Sequence, residues 1–429
     1  MSPRRITYLR TFLLSLTWVI TACSSPSEPE AVKPKAEQPS SVAPANPGEQ
    51  PTLLLSQAQF AYKSLPNGKK IPQPGAAKLT MLSFNGKSFD TTVLEDEESR
   101  VFHKALCINK PDQPRKILTL AATGAHLKTW TSSGGQWTGQ SHWKPEFGGK
   151  WDRLRDVERG DINHDGKEEL VLATHDQGVI AVASPTQTGW DIQEIYKQKT
   201  TFIHEIEIGD VDGDGRLEFF ATPSQPNRAN SSQGGAVIGF FYENKTYRQE
   251  TVAQFPKRHA KEIFVGDIDG DGTDELYASV EAQTRKSVSG PSVVKPLEIR
   301  RYDRQKNGKW TGVTISTLDG GIQARVILGG DFMNTGKKQL VVTTMKAGIF
   351  VLEHGEKAWT QHLVDANSSG FEHAAGLFDI DSDGKPELYV TADDQDVVKR
   401  YRHTSTGFQG EVIGQLMPRD LTWSIEFCP

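Results

Sequence analysis

The feature that most constrains this chain is a cluster of carboxylates that it repeats. In "GDVDGDGRLEFF", Gly209 to Phe220, the acids Asp210, Asp212, Asp214 and Glu218 crowd together and an apolar run follows at once. Like charges so close are unfavourable unless a cation or a proton sits among them. Side-chain oxygens at loop positions 1, 3 and 5, a glycine at 6 able to take positive φ, the backbone carbonyl of Arg216 at 7 and a carboxylate at 9 suit the six to eight oxygens of calcium, with water completing the shell. Magnesium would demand a tighter octahedron. Ala221 stands at position 12, where a helix-loop-helix calcium site needs a bidentate Glu, and the flanks "HEIEIG" and "LEFFATP" alternate or run apolar. The loop therefore joins two β-strands.

The unit recurs as "RGDINHDGKEELVLA", "VGDIDGDGTDELYA", "GGDFMNTGKKQLVV" and "LFDIDSDGKPELYV", so that leading aspartates stand at 161, 210, 267, 331 and 379. Four loops carry the full pattern. Their candidate metal ligands are Asp161, Asn163, Asp165, Lys167, Glu169; Asp210, Asp212, Asp214, Arg216, Glu218; Asp267, Asp269, Asp271, Thr273, Glu275; and Asp379, Asp381, Asp383, Lys385, Glu387, position 7 contributing its carbonyl. The loop at Asp331 has Met333, Thr335 and Gln339 in place of ligands and is expected to be empty, which leaves about four structural calcium ions. After each loop comes an apolar strand, then a second ("GVIAVAS", "GAVIGFF", "AGIFVLE") and often a third, making four strands per repeat. A lone four-stranded sheet cannot bury both faces, whereas a ring of them can, so the pattern reads as an all-β, seven-bladed β-propeller. The piece "ALCINKPDQPRKILTLAATG" aligns as a degenerate copy, with Cys107 at the place of the leading aspartate. A closing blade is expected from both chain ends: "KLTMLSFNG" and "FDTTVLED" as outer strands, "LTWSIEFC" as the innermost. Because this blade shows no clear second strand, six blades is the alternative. The domain reading is a signal peptide over 1–22, a linker over 23–52, an N-terminal segment over 53–78 able to add an outer strand, and the propeller over 79–429.

The loops D-x-[DN]-x-D-G-x-x-E before an apolar strand resemble FG-GAP/VCBS repeats, the calcium-binding repeats of integrin-α-like propellers, over roughly residues 79–429. The resemblance implies the propeller and the metal. The Phe-Gly and Gly-Ala-Pro signatures of integrins are missing around these loops, so integrin-like partner recognition is not implied.

The start, "MSPRRITYLRTFLLSLTWVITACSS", has Arg4, Arg5 and Arg10 before an apolar run too short to span a bilayer, as a signal peptide does. "ITAC" resembles the bacterial lipobox and implies lipidation of Cys23; Ser24 resembles the sorting pattern for the outer membrane. Residues 24–51 are rich in Pro, Ser, Glu and Ala with little to bury, so they read as an extended tether reaching on the order of 80 Å. With Cys23 assigned to lipid, Cys107 and Cys428 remain as a disulfide pair, both falling at ends of innermost strands; two reduced thiols are the alternative. The formal charge of −5 becomes −8 once the three leader arginines are removed, and four calcium ions would neutralise it. No nucleic-acid footprint is visible.

Six residues before each leading aspartate stands a base: Arg155, His204, Lys261, Arg325 and His373. This row is either a site for an anionic ligand, with histidines that gain charge as pH falls, or a structural ring paired with Asp156, Glu205 and Glu262. The cluster Trp130, Trp137, Trp143 and Trp151 reads as sugar-stacking surface or as blade core. No nucleophile elbow, Walker loop, HExxH or CxxC is present. The expected function is an envelope binding module for a glycan or protein, held to the membrane through Cys23, more in keeping with recognition than with catalysis. The alternatives are a polysaccharide lyase or hydrolase and an assembly scaffold.

Overall fold

The computed structural model describes residues 49–429 except 67, 110–112, 150–151, 226–232, 288–289, 346 and 368–373. The leader, Cys23, Trp151, His373 and nearly all of the linker lie outside the described residues.

The chain is built of antiparallel four-stranded sheets. Leu154–Gly160, Glu169–Thr174, Val179–Pro185 and Trp190–Lys197 pair in that order, and the same plan holds for 202–255, 324–365 and 375–415. The sheet of 260–318 follows it too, with an extra hairpin, Gln283–Ser287 and Gly290–Lys295, inserted between its second and third strands. Burial explains why each strand has the sequence it has. Second strands such as "ELVLAT", "QLVVTT" and "ELYVTA" are buried at every position, since neighbours cover both edges and both faces. Outermost strands such as "WDIQEIYK" are largely exposed and correspondingly polar.

The sheets close on one another. Ile206, Ile208 and Phe219 pack onto Val171, Ala173 and Ile180 of the preceding sheet, and Ile263, Val265 and Leu276 pack onto Phe220, Val237 and Phe241. Comparable clusters join each later sheet to the next. The last junction is made by both chain ends: Leu421–Cys428 is the innermost strand, pairing with Thr52–Ser64, which pairs with Lys70–Phe84, which pairs with Phe89–Asp96. Phe102, Ile117 and Trp130 of the sheet 101–143 pack onto Leu54, Leu79 and Leu94. A single bridge, Ala58 with Val101, also connects these two sheets.

Two sequence expectations change here. Thr52–Ser64 is the second strand of the closing sheet and not an outer one, so the folded unit starts near residue 52 and not at 79. Its "LLL" is wholly buried, as a strand flanked on both sides requires. The alignment of Cys107 with a leading aspartate also shifts. Every innermost strand described through its start carries a register bulge there, at His103 in the first full sheet and at Arg155 in the next. Matching the bulges puts Asn109, two residues past Cys107, at the aspartate's place.

Cys107 and Cys428 are joined by a disulfide with their Cα atoms 5.2 Å apart. Beside it the Arg115 guanidinium donates to the carbonyls of Pro429 and, at 3.0 Å, of Gln50. The bridge closes a loop over a sequence separation of 321 residues. Cys428→Ser is therefore expected to cost on the order of 3–5 kcal/mol, read as a lower Tm in non-reducing buffer. An unchanged Tm would mean that strand pairing alone holds the closure.

Candidate functional site

Two constellations bear charge: the loops between first and second strands, and the channel formed by the innermost strands.

All five loops share one backbone form. The leading aspartate accepts the N–H groups of loop residues 5 and 6 in four of them, as Asp210 does from Asp214 at 3.1 Å and Gly215 at 2.9 Å. At Asp267 the donors are Gly270 and Gly272. The sixth residue is always glycine because the turn takes it to φ of 78° to 96°. Position 7 donates its N–H to the residue at position 5, as Lys167, Arg216, Thr273 and Lys385 all do. The acids converge: carboxylate oxygens of Asp267, Asp269, Asp271 and Glu275, of Asp210, Asp212 and Glu218, and of Asp379, Asp381 and Asp383 lie within 4.8 Å of one another. At Asp161 the third donor is the Asn163 amide oxygen, and both oxygens of Glu169 are buried with no hydrogen-bond partner. Burial, then neighbouring carboxylates, push Glu169 up to about 7 and Glu218 up to about 9; burial pushes Glu275 up to about 8. Such sites fit a divalent cation.

The fifth loop is the internal control. Gln339 Oε1 accepts the Met333 N–H at 3.0 Å, as Glu218 accepts that of Val211, while its Nε2 donates to Thr335 Oγ1 at 3.1 Å and to the Lys337 carbonyl. An amide N–H thus fills the loop from within. Three acidic loops also hold an arginine at position 3: Arg304 on Asp212 at 2.9 Å, Arg301 on Asp269 at 2.6 Å and Arg402 on Asp381 at 3.1 Å.

The channel is organised by the bulges. His103, Arg155, His204, Lys261, Arg325 and Trp423 all sit at them. The described members of the basic row are therefore bulged residues, and His103 and Trp423, which hold the same place in the first and closing sheets, carry no sequence signal because Asn109 and Pro429, not aspartates, stand six residues after them. Arg155 lies over the Trp423 ring at 5.6 Å, and His103 meets the same ring edge-on at 5.0 Å. Arg155 and Arg325 line the channel. His204 is 2% exposed, packed against His175 and His259, and burial holds its pKa well below 6.5. Lys261, 6% exposed, pairs with Glu281 at 3.2 Å. These two do not present charge to a mouth, and His204 does not gain it at mildly acid pH.

The acids that follow the row do face the channel. A cavity of about 250 Å³ is bordered by the acids Asp156, Glu158, Glu205, Glu207, Glu262 and Glu426 and by the apolar residues Phe264, Val326, Leu328 and Leu377. Lys104 reaches in among them, 3.0 Å from Asp156, in contact with Glu158 and 3.8 Å from Glu426. Asp156 also accepts the Ile206 N–H of the next sheet at 2.7 Å. Sequence reading noticed Asp156, Glu205 and Glu262 only as counterions for the row. The signal it lacked was the repeat two positions on, "DVE" and "EIE", which alternation sends to the same side of the strand. Trp130, Trp137 and Trp143 are core or packed against it: Trp130 is buried and donates to Thr119 Oγ1 at 2.8 Å, Trp137 packs against the same cluster, and Trp143 meets Phe147 edge-on.

The four-stranded sheets closing on one another define a β-propeller. Residues 161–221 match the family model described as an FG-GAP-like repeat, which supports an FG-GAP β-propeller. Among solved structures it is similar to a Bacteroides uniformis protein provisionally described as a 6-phosphogluconolactonase, at 12% identity, 88% of this chain and 99% of that one, with a TM-score of 0.53. It is also similar to an Agrocybe aegerita lectin that recognises non-reducing terminal N-acetylglucosamine, at 11% identity, 89% and 96% coverage and a TM-score of 0.51. The Dos1 propeller follows at 12% identity, 86% and 83% coverage and 0.49. No curated protein matches the sequence.

Burial pushes the Glu426 carboxyl up to about 7 from an ordinary 4.5, against the pull of Lys104. A carboxyl raised in the folded state contributes fully below its unfolded pKa, and that contribution is lost as pH rises through its folded value. Glu426→Gln is therefore expected to raise the Tm at pH 8 by on the order of 2 °C and to leave it unchanged at pH 4.5. Equal effects at both pH values would contradict this.

Proposed function

We propose that the protein is a seven-bladed, calcium-stabilised propeller of the bacterial cell envelope, lipid-anchored at Cys23 and sorted to the outer membrane, which works as a binding module for a protein partner. The blade count rests on the sheets over 101–143, 154–197, 202–255, 260–318, 324–365 and 375–415, with the composite of 421–428 and 52–96 as the seventh. Calcium is supported by the all-oxygen donor sets and by the strand hairpins that hold them.

One observation carries the binding reading. Nine large apolar side chains are markedly exposed, and they fall into two groups. Val93, Val313, Leu363 and Val412 lie on outermost strands. Phe60, Tyr62, Val293, Val294 and Met417 lie on the second-to-third hairpins of the closing and fourth sheets and on the connection into Leu421–Cys428. Strand direction puts all of these at the face opposite the metal loops, which is also where the inserted hairpin projects. Exposed apolar groups at this face, in two clusters on sheets that are not neighbours, are candidate contacts for a protein partner. The described chain begins beside the other face, since Thr52 pairs with Cys428 at the loop end of the innermost strand. A tether entering there leaves the rim free. The glycan reading is favoured only by the fold shared with a lectin, and the lyase or hydrolase and scaffold readings by nothing at the rim.

A variant carrying Tyr62→Ser, Val293→Ser, Val294→Ser and Met417→Ser is expected to keep its Tm and to lose the envelope protein that cross-links to the wild type. Unchanged cross-linking, or glycan-array binding that survives the variant, would contradict a protein-binding rim. Cys23→Ala is expected to move the protein from the membrane to the soluble fraction; a variant that still sediments with lipid would refute the anchor.

A further inference from the structure

The acidic wall of the channel holds more carboxyl groups than cations. Six carboxylates border the cavity against Lys104, Arg155 and Arg325. Their placement is uneven. Lys104 serves Asp156, Glu158 and Glu426, whereas Glu205, Glu207 and Glu262, on the adjoining strands Phe202–Gly209 and Ala260–Gly266, have no ion pair within 4.0 Å among the described residues. Glu262 borders the cavity, is 4% exposed, and its buried Oε1 has no hydrogen-bond partner. Ser424 Oγ, also on the cavity wall, is unpartnered as well. A buried acceptor without a donor costs free energy, and a buried carboxylate costs more. Glu205 and Glu207 are only half-buried, so the group is reachable from solvent.

We propose that this half of the channel is a binding site for a small organic cation bearing primary ammonium groups, of the diamine class, which is distinct from the metal loops and independent of the rim. Lys104 supplies the template. Its Nζ is held by Asp156 and Glu158 of one strand, with Glu426 of another at 3.8 Å, so carboxylates of this wall do hold an ammonium. One strand on, Glu205 and Glu207 stand two residues apart in the same way, within the field of Lys104 but with no cation within 4.0 Å among the described residues. Phe264, Val326, Leu328 and Leu377, which line the same cavity, offer apolar surface for a methylene chain. A bare metal ion fits less well. The channel acids do not bring three ligand atoms within 4.8 Å of one another, as the acids of the loops do. Burial, with mutual repulsion added, raises Glu205 and Glu207, which is the state a bound ammonium would relieve.

The test is calorimetric titration of the calcium-loaded mature protein with putrescine in low salt, beside a Glu205→Gln, Glu207→Gln double variant. One site is expected in the wild type, weakened at least tenfold in the double variant and weakened by added salt. The substitutions remove repulsion, so the variant should fold, and its Tm verifies this. The wild-type Tm should also rise with putrescine, while the variant's should not. No heat and no Tm shift at millimolar putrescine would overturn the proposal, as would equal binding by both proteins. An equal response to magnesium added above loop-saturating calcium would overturn it too, by assigning the carboxylates to a metal.

Discussion

The structure depends on what neutralises four hairpins full of carboxylates. Each hairpin ties the innermost strand of a sheet to the second, and the second strand is the most deeply buried part of every sheet. The leading aspartate organises the turn through backbone N–H groups, which leaves the remaining oxygens pointing at one another in a half-buried place. Repulsion there would pull apart the strand pair that sets the register of the sheet. The loop at Asp331 shows the other solution. Gln339 puts an N–H where the acidic loops need a positive charge, and the turn keeps its form. The arginines on Asp212, Asp269 and Asp381 supply part of the charge elsewhere. At Glu169 no guanidinium stands in, and both oxygens are orphaned.

Much of this was legible in the sequence because loop chemistry and strand burial are local. The D-x-D-x-D-G spacing gives the turn, the apolar run after it gives the covered strand, and the recurrence gives the ring. What escaped was what depends on partners distant in the chain. "TLLLSQAQFAYKS" carries no loop motif ahead of it, since its inner neighbour comes from the other terminus, so its place as a second strand could be seen only once Leu421–Cys428 lay beside it. The basic row was legible as a recurrence but not in its meaning. A bulge at each innermost strand described through its start turns these residues out of the plain alternation of a strand. That is why His204 and Lys261 are buried among side chains while the acids after them border the channel.

The two faces of the ring differ in chemistry. Acidic groups are gathered at the loop face and along the channel; five of the exposed apolar residues among those described lie at the opposite end of the strands, and four on the outermost strands. A propeller is well suited to this, since its rigid sheets hold variable connections without being altered by them.

The central claim is that the acidic hairpins are calcium sites on which the ring depends. Equilibrium dialysis of the chelator-stripped protein against calcium, with the bound metal counted by elemental mass spectrometry, tests it most directly. The account predicts four ions in the wild type, three in Asp212→Ala and four in Asp331→Ala. A wild type that binds none at millimolar calcium, or an Asp331→Ala variant that loses an ion, would contradict it.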